Sequence, residues 1–157
     1  MAEKTNAIRQ LDRFKLEYTI HDYSNTDAIS GSEIAAVLNE DPNRVFKTLV
    51  TVGKSGNHFV FMVPVEKELD LKKAAKAASE KSIDMIKSKE LLGLTGYIHG
   101  GCSPIGMKKQ FKTFIDESAL EYDKIFFSGG KIGLQIETSL KNLLKIVPVL
   151  TAELVKC

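Results

Sequence analysis

The spacing of apolar and polar positions changes several times along the chain, and each change predicts an element. From Thr5 to about Lys15, Ile8, Leu11 and Phe14 approximate one helical stripe, with Thr5 placed to cap its start. Tyr18-Thr19-Ile20-His21-Asp22-Tyr23 alternates in character and carries β-formers, so it reads as a strand. Ser30 and Glu33 have capping-box spacing and open a short helix holding Ile34, Ala35 and Leu38, which Asp41-Pro42 ends. The strongest strand signal runs over residues 44–52; the turn Lys54-Ser55-Gly56-Asn57 returns it along residues 58–63 as a hairpin. Asp70 caps a lysine-rich helix to about Ser79, apolar at Leu71, Ala74, Ala75 and Ala78. A short strand near 83–86 and a short helix capped by Ser88 and ending before Gly93 come next. Further strands are predicted over 113–116, 124–127 and 132–137, then a helix over 140–144 capped by Thr138-Ser139, then a last strand over 146–149.

Strict strand–helix alternation is broken by the hairpin and by the consecutive late strands. That pattern favours an α+β chain, a mixed sheet with helices packed around it, over a doubly wound fold. The 157 residues contain no repeat and no linker, so one domain over residues 1–157 is expected. A net charge of +2 supplies no global field toward nucleic acid, though the lysines at 72, 73, 76 and 81 and at 108, 109 and 112 leave a local basic face open. The two cysteines, Cys102 and Cys157, form neither a C-x-x-C pair nor a zinc-type cluster, so no disulfide framework, metal or cofactor is expected. With no apolar run long enough to span a bilayer, the expectation is a cytoplasmic protein without a membrane partner.

Two glycine-rich stretches carry the candidate chemistry. Gly100-Gly101-Cys102-Ser103-Pro104-Ile105-Gly106 cannot sit inside a helix or a central strand without cost. Ser128-Gly129-Gly130-Lys131-Ile132-Gly133 repeats the punctuation. Such loops either make tight turns or offer backbone N–H groups to the polar end of a ligand. The second loop lacks the spacing of a triphosphate-binding loop. Lys47 lies within a strand that is apolar on both faces, so it must snorkel outward, pair with an acid, or hold an anionic or hydroxyl-bearing ligand. His21, His58 and His99 are scattered and read as structural. Cys102 has no identifiable activating neighbour and reads as a small packed side chain.

Taken together, Asp41-Pro42-Asn43-Arg44-Val45-Phe46-Lys47-Thr48-Leu49, Gly100-Gly101-Cys102-Ser103-Pro104-Ile105-Gly106-Met107-Lys108-Lys109 and Ser128-Gly129-Gly130-Lys131-Ile132-Gly133-Leu134 are more specific than any one alone. Their order and spacing resemble the YbaK-type Cys-tRNA(Pro) deacylases of the YbaK/prolyl-tRNA synthetase editing-domain superfamily, over essentially the whole chain. The resemblance implies a mixed sheet curled into a partly closed barrel surrounded by helices. It implies trans-editing of tRNA(Pro) mischarged with cysteine, with prolyl-tRNA synthetase as partner. By the same resemblance Lys47 is the key site lysine, near the terminal ribose and phosphate of the acceptor end, and the backbone of Gly100 and Gly101 embraces the aminoacyl ester. Tyr23 and Ser128 match substrate-binding positions. Gln135 stands where some members carry an acid, and it can still hydrogen-bond. The family mechanism uses the substrate's own thiol, so no protein nucleophile is required. Clearance of another small aminoacyl group such as alanine, or acceptor-end binding without turnover, are the alternatives.

Overall fold

The structure is a computed structural model that describes residues 4–26 and 31–157. Its elements run α1 (Asn6–Arg13), β1 (Thr19–Asp22), α2 (Gly31–Val37), β2 (Phe46–Gly53), β3 (His58–Pro64), α3 (Leu71–Ala78) and β4 (Ile83–Met85). They continue with α4 (Leu91–Thr95), β5 (Lys112–Asp116), β6 (Ile125–Ser128), β7 (Leu134–Thr138), α5 (Leu140–Ile146) and β8 (Val149–Ala152). The helix starts follow from side-chain caps. Thr5 accepts from the backbone of Ile8, Asp70 from Lys72 and Lys73, and Ser139 from Asn142. Each such cap contributes about 0.5–2 kcal/mol.

Several predicted details are corrected. Phe14 is 46% exposed, because the helix ends before it and turns it off the stripe; Ala7, Ile8 and Leu11 form the buried face. Ser88 caps no helix: the chain makes a 3-10 turn over Ser88–Glu90, and α4 then runs through Gly93 to stop at Gly96, whose φ is +84°. The last strand begins at Val149, since Ile146 still belongs to α5. Ser30, the proposed cap of α2, lies outside the described residues.

The strands form a mixed architecture of two sheets. One is antiparallel, in the order β1-β7-β6. The other runs β4-β2-β3-β5-β8, antiparallel through β4, β2 and β3 and parallel from β3 to β8. They meet at a single parallel bridge between Val45 and Phe126. Closing a barrel requires a continuous ladder between its end strands. Here β1, β4 and β8 end their sheets without a further partner among the described residues, so the expected partly closed barrel is replaced by two open sheets. Phe46, Met62, Ile105, Ile115, Phe127, Leu134 and Ile136 form a common core with Leu11 of α1 and Leu143 of α5. On the opposite face, Ala74, Ala75 and Ala78 let α3 lie close to Phe59, Phe61 and Phe114. No described helix is long and apolar enough to cross a membrane.

Candidate active site

Strand β2 has two different halves. Thr51, Val52 and Gly53 pair with β3 on one side and β4 on the other. Residues 46–49 pair with β3 alone, and at Val50 the β4 side ends with a last bond from Ile86 N to Val50 O at 3.4 Å. Just before them, Val45 touches the other sheet at Phe126. A gap therefore separates the bridge to β6 from the start of β4, along the open edge of β2. A cavity of about 200 Å³ lies there, and its lining takes in every residue from Val45 to Leu49. Alternation along a strand sends neighbouring side chains to opposite faces. A cavity placed at the strand's edge can still be lined by consecutive residues.

The far wall comes from β6, β7 and the first glycine loop: Ser128, Gln135, His99, Gly100 and Cys102. Ser128 and Gln135 are cross-strand partners, so the β6–β7 register sets them side by side. The Ser128 hydroxyl oxygen accepts from Gly130 N at 3.1 Å, which tightens the second glycine loop. Gly100 has φ +86°, a conformation that favours glycine. Gly101 answers a different need. A Cβ there would lie 2.8 Å from Lys131 Cα and 2.9 Å from Ile132 N, so the two glycine loops approach backbone to backbone. That contact fixes Gly100 relative to Ser128.

Lys47 is half-buried, and burial lowers the pKa of its ammonium, opposed by the charge of Glu68. It has no hydrogen bond or ion pair among the described residues. Two neutral groups in the same lining are also unmatched: Gln135 Oε1 and Thr48 Oγ1 are buried without a hydrogen-bond partner. Leaving such an atom buried and unpaired costs about 1–3 kcal/mol. Polar atoms held at that cost around a cavity are suited to a polar ligand. Cys102 behaves differently: burial pushes its thiol up to about 12, so it stays protonated and is a poor nucleophile near neutrality.

Lys47, Gly100, Ser128 and Gln135, anticipated on three separate segments, thus line one cavity. Gly101 stands behind it, in the loop–loop contact. Tyr23 does not line the cavity either. It is buried against Ile34, which does, its backbone N–H donates to Gly133 O at 2.8 Å, and its hydroxyl has no partner among the described residues. Sequence reasoning missed Thr48. The one available signal was its position beside Lys47, which alternation argued against. Among the described residues, no group of three His, Cys, Asp or Glu side chains is arranged to hold a metal ion.

The fold and this cavity define an α+β domain with a small ligand site between two sheets. The family model of the aminoacyl-tRNA editing domain matches residues 25–146, and the chain belongs to that family. Over 145 residues it is 44% identical to a protein of Enterococcus faecalis (strain ATCC 700802 / V583), covering 92% of this chain and 88% of the relative. That relative is named "Putative Cys-tRNA(Pro)/Cys-tRNA(Cys) deacylase EbsC". Two solved structures share the fold. The hypothetical protein APE2540 superposes with a TM-score of 0.88 at 20% identity, over 97% of this chain and all of that one. A second, titled "a putative trans-editing enzyme for prolyl tRNA synthetase", superposes with a TM-score of 0.83 at 23% identity, over 99% of this chain and 100% of its own.

Proposed function

We propose that the chain, acting over residues 1–157 as one editing domain, is a trans-editing deacylase that clears Cys-tRNA(Pro) and Cys-tRNA(Cys) in the cytoplasm. One observation carries the reading: Lys47, Gly100, Ser128 and Gln135 converge on a cavity that also holds buried, unmatched oxygens. At about 200 Å³ the cavity is smaller than the roughly 300–1,000 Å³ sites that enclose drug-sized ligands. It suits an aminoacyl group, with the rest of the tRNA outside. The likeness to a relative named for Cys-tRNA deacylation supports cysteine as that group. The likeness to a structure described as serving prolyl tRNA synthetase supports the synthetase as the partner that supplies the mischarged tRNA(Pro).

The chemistry needs no protein nucleophile. The thiol of the bound cysteine gives up its proton, and its sulfur attacks the carbonyl carbon of its own ester. The carbonyl electron pair moves onto oxygen, then returns as the bond to the ribose oxygen breaks. That oxygen takes up a proton, a thiolactone remains, and water later opens it to free cysteine. The protein folds the substrate for attack and stabilises the transient oxyanion. In this scheme Gly100 presents the loop backbone to the ester, and Lys47 holds the ribose and phosphate end. Ser128 has a hydroxyl hydrogen to donate, because the bond from Gly130 N uses only its oxygen as acceptor. Gln135 contacts the aminoacyl group. Gly101 and Tyr23 act one layer back, by fixing the loops and Ile34.

The test is deacylation of Cys-tRNA(Pro), Ala-tRNA(Pro) and Ser-tRNA(Pro) side by side. Serine is close in size to cysteine, but its hydroxyl is the poorer internal nucleophile. Clearance of the cysteine ester alone is the expected result. Preference for alanine would discard the thiol route, and binding of acceptor ends without turnover would discard the deacylase.

A further inference from the structure

The described residues lining the cavity carry one formal charge, the cation of Lys47, and no carboxylate. The group best placed for a small polar substituent is Gln135, only 5% exposed, with Oε1 buried and unmatched. The carboxylate two residues along β7, Glu137, is already engaged. His21 Nε2 lies 2.9 Å from its Oε1, and Arg44 Nη2 lies 3.6 Å from its Oε2. Among the described residues, few other titratable groups lie around the site. His99 and Cys102 face it from the loop after α4, Tyr23 packs behind Ile34, and Glu68 acts on Lys47 from the segment between β3 and α3. Glu68 also pairs with Lys156 at 3.1 Å.

An aminoacyl ester brings an α-amine into this setting. An ordinary α-amino group titrates near 7.7–8.0, and the electron-withdrawing ester lowers that further, so both forms are present near neutrality. An ammonium placed here would share a desolvated cavity with Lys47 and find no counter-charge among the described lining residues. A neutral amine can exchange a hydrogen bond with the Gln135 amide at no such cost.

We propose that this site takes its aminoacyl substrate with the α-amine uncharged, that the Lys47 cation and the lack of a carboxylate in the described lining select this form, and that Gln135 is its hydrogen-bond partner. The inference rests on the deacylase reading and adds a protonation state to it. The substrate thiol also titrates in this range, so the amine must be isolated from it. The comparison uses cysteinyl-tRNA(Pro) and 3-mercaptopropionyl-tRNA(Pro), which keeps the thiol and lacks the amine. Well below both thiol pKa values, where the two thiolate fractions grow at the same rate, the ratio of their kcat/KM values cancels the thiol's pH dependence. That ratio is expected to rise by up to about tenfold per pH unit below the amine's pKa, because the neutral fraction grows at that rate. In Gln135→Glu the supplied carboxylate holds the ammonium, and the ratio levels or falls with pH. In Gln135→Met the ratio is lower at every pH, for want of the hydrogen bond, and still rises with pH, because Lys47 and the lack of a carboxylate remain. Thermal melting of both variants shows that they are folded. A flat or falling ratio in the unaltered protein overturns the inference.

A second readout does not need turnover. Calorimetric binding of the amide 3′-cysteinylamino-3′-deoxyadenosine, repeated in buffers of different ionisation enthalpy, counts protons. Release at pH 6.5, with none for the mercaptopropionyl amide, is the expected result. Proton uptake, no net exchange, or no binding at millimolar concentration overturns the inference. Proton release without turnover of either ester would leave it standing and remove the deacylase.

Discussion

Thr48 and Thr51 stand three positions apart on the same strand and have opposite fates. Thr51 lies in the half of β2 that is paired on both sides, and its buried hydroxyl donates to Phe59 O at 2.9 Å. Thr48 lies in the half with one open edge, and its buried hydroxyl has no partner. Identical chemistry therefore serves folding in one place and is left available in the other. The difference comes from the face each takes: three positions apart, the two side chains point to opposite sides of the strand, and Thr51 meets a β3 carbonyl while Thr48 lines the cavity. In the paired half the one side-chain hydroxyl is used up by the fold. In the open half Lys47, Thr48 and, across the gap, Gln135 are held ready at a cost in stability.

The sharpest way to break this comparison is Lys47→Ala. If the open half is built for a ligand, deacylation falls by about 10²–10³-fold, the scale set by losing one pre-organised electrostatic contact. The melting temperature should hold or rise, because a desolvated cation is removed. Unchanged turnover would reduce Lys47 to a surface charge.

The next effect concerns the loops that close the gap. Gly101→Ala forces a methyl against the backbone of Lys131 and Ile132, and overpacking of this kind costs about 1–3 kcal/mol. Gly93 makes the contrast, since a Cβ there meets nothing within 4 Å and the residue sits inside α4. Gly93→Ala should stabilise by about 0.5–1 kcal/mol. Urea melts of both variants give the two signs, and equal signs would show that the loop contact is slack. The threonines come third. Thr51→Val should cost roughly 1 kcal/mol of stability, the usual net value of one hydrogen bond. Thr48→Val should cost nothing in stability and still lower deacylation, and a stability loss there would erase the distinction between the two halves.

Much of this was legible in the chain. Caps at Thr5, Asp70 and Ser139 are local chemistry, and the hairpin of β2 and β3 follows from a short turn between two apolar runs. Lys47 could be singled out because a charge inside an apolar strand needs a reason. The gap was not legible. It depends on the β4 ladder covering only residues 51–53 and on β6 bridging to Val45 alone, pairings between distant segments that no local pattern encodes. For the same reason Thr48 was passed over, and the glycine loops, each readable as a turn, gave no sign that they pack on one another.

The smallest predicted effect is a modification that changes nothing. Cys102 lines the cavity, so a thiol-based reading of the chemistry could assign it the attack. Burial holds its thiol up at about 12, against an ordinary value of 9.0. The folded state therefore keeps a proton that the unfolded state sheds above about pH 9. Its contribution to stability is full below that pH and is lost as pH rises toward 12. Near neutrality the thiolate is scarce, whereas Cys157 is exposed. Iodoacetamide at pH 7.5 should label Cys157 first, and the singly labelled protein should keep its deacylation rate. Mass spectrometry locates the label. Early labelling of Cys102 with loss of turnover would mean that the cavity activates its own thiol, and the substrate's sulfur would no longer be needed as the nucleophile.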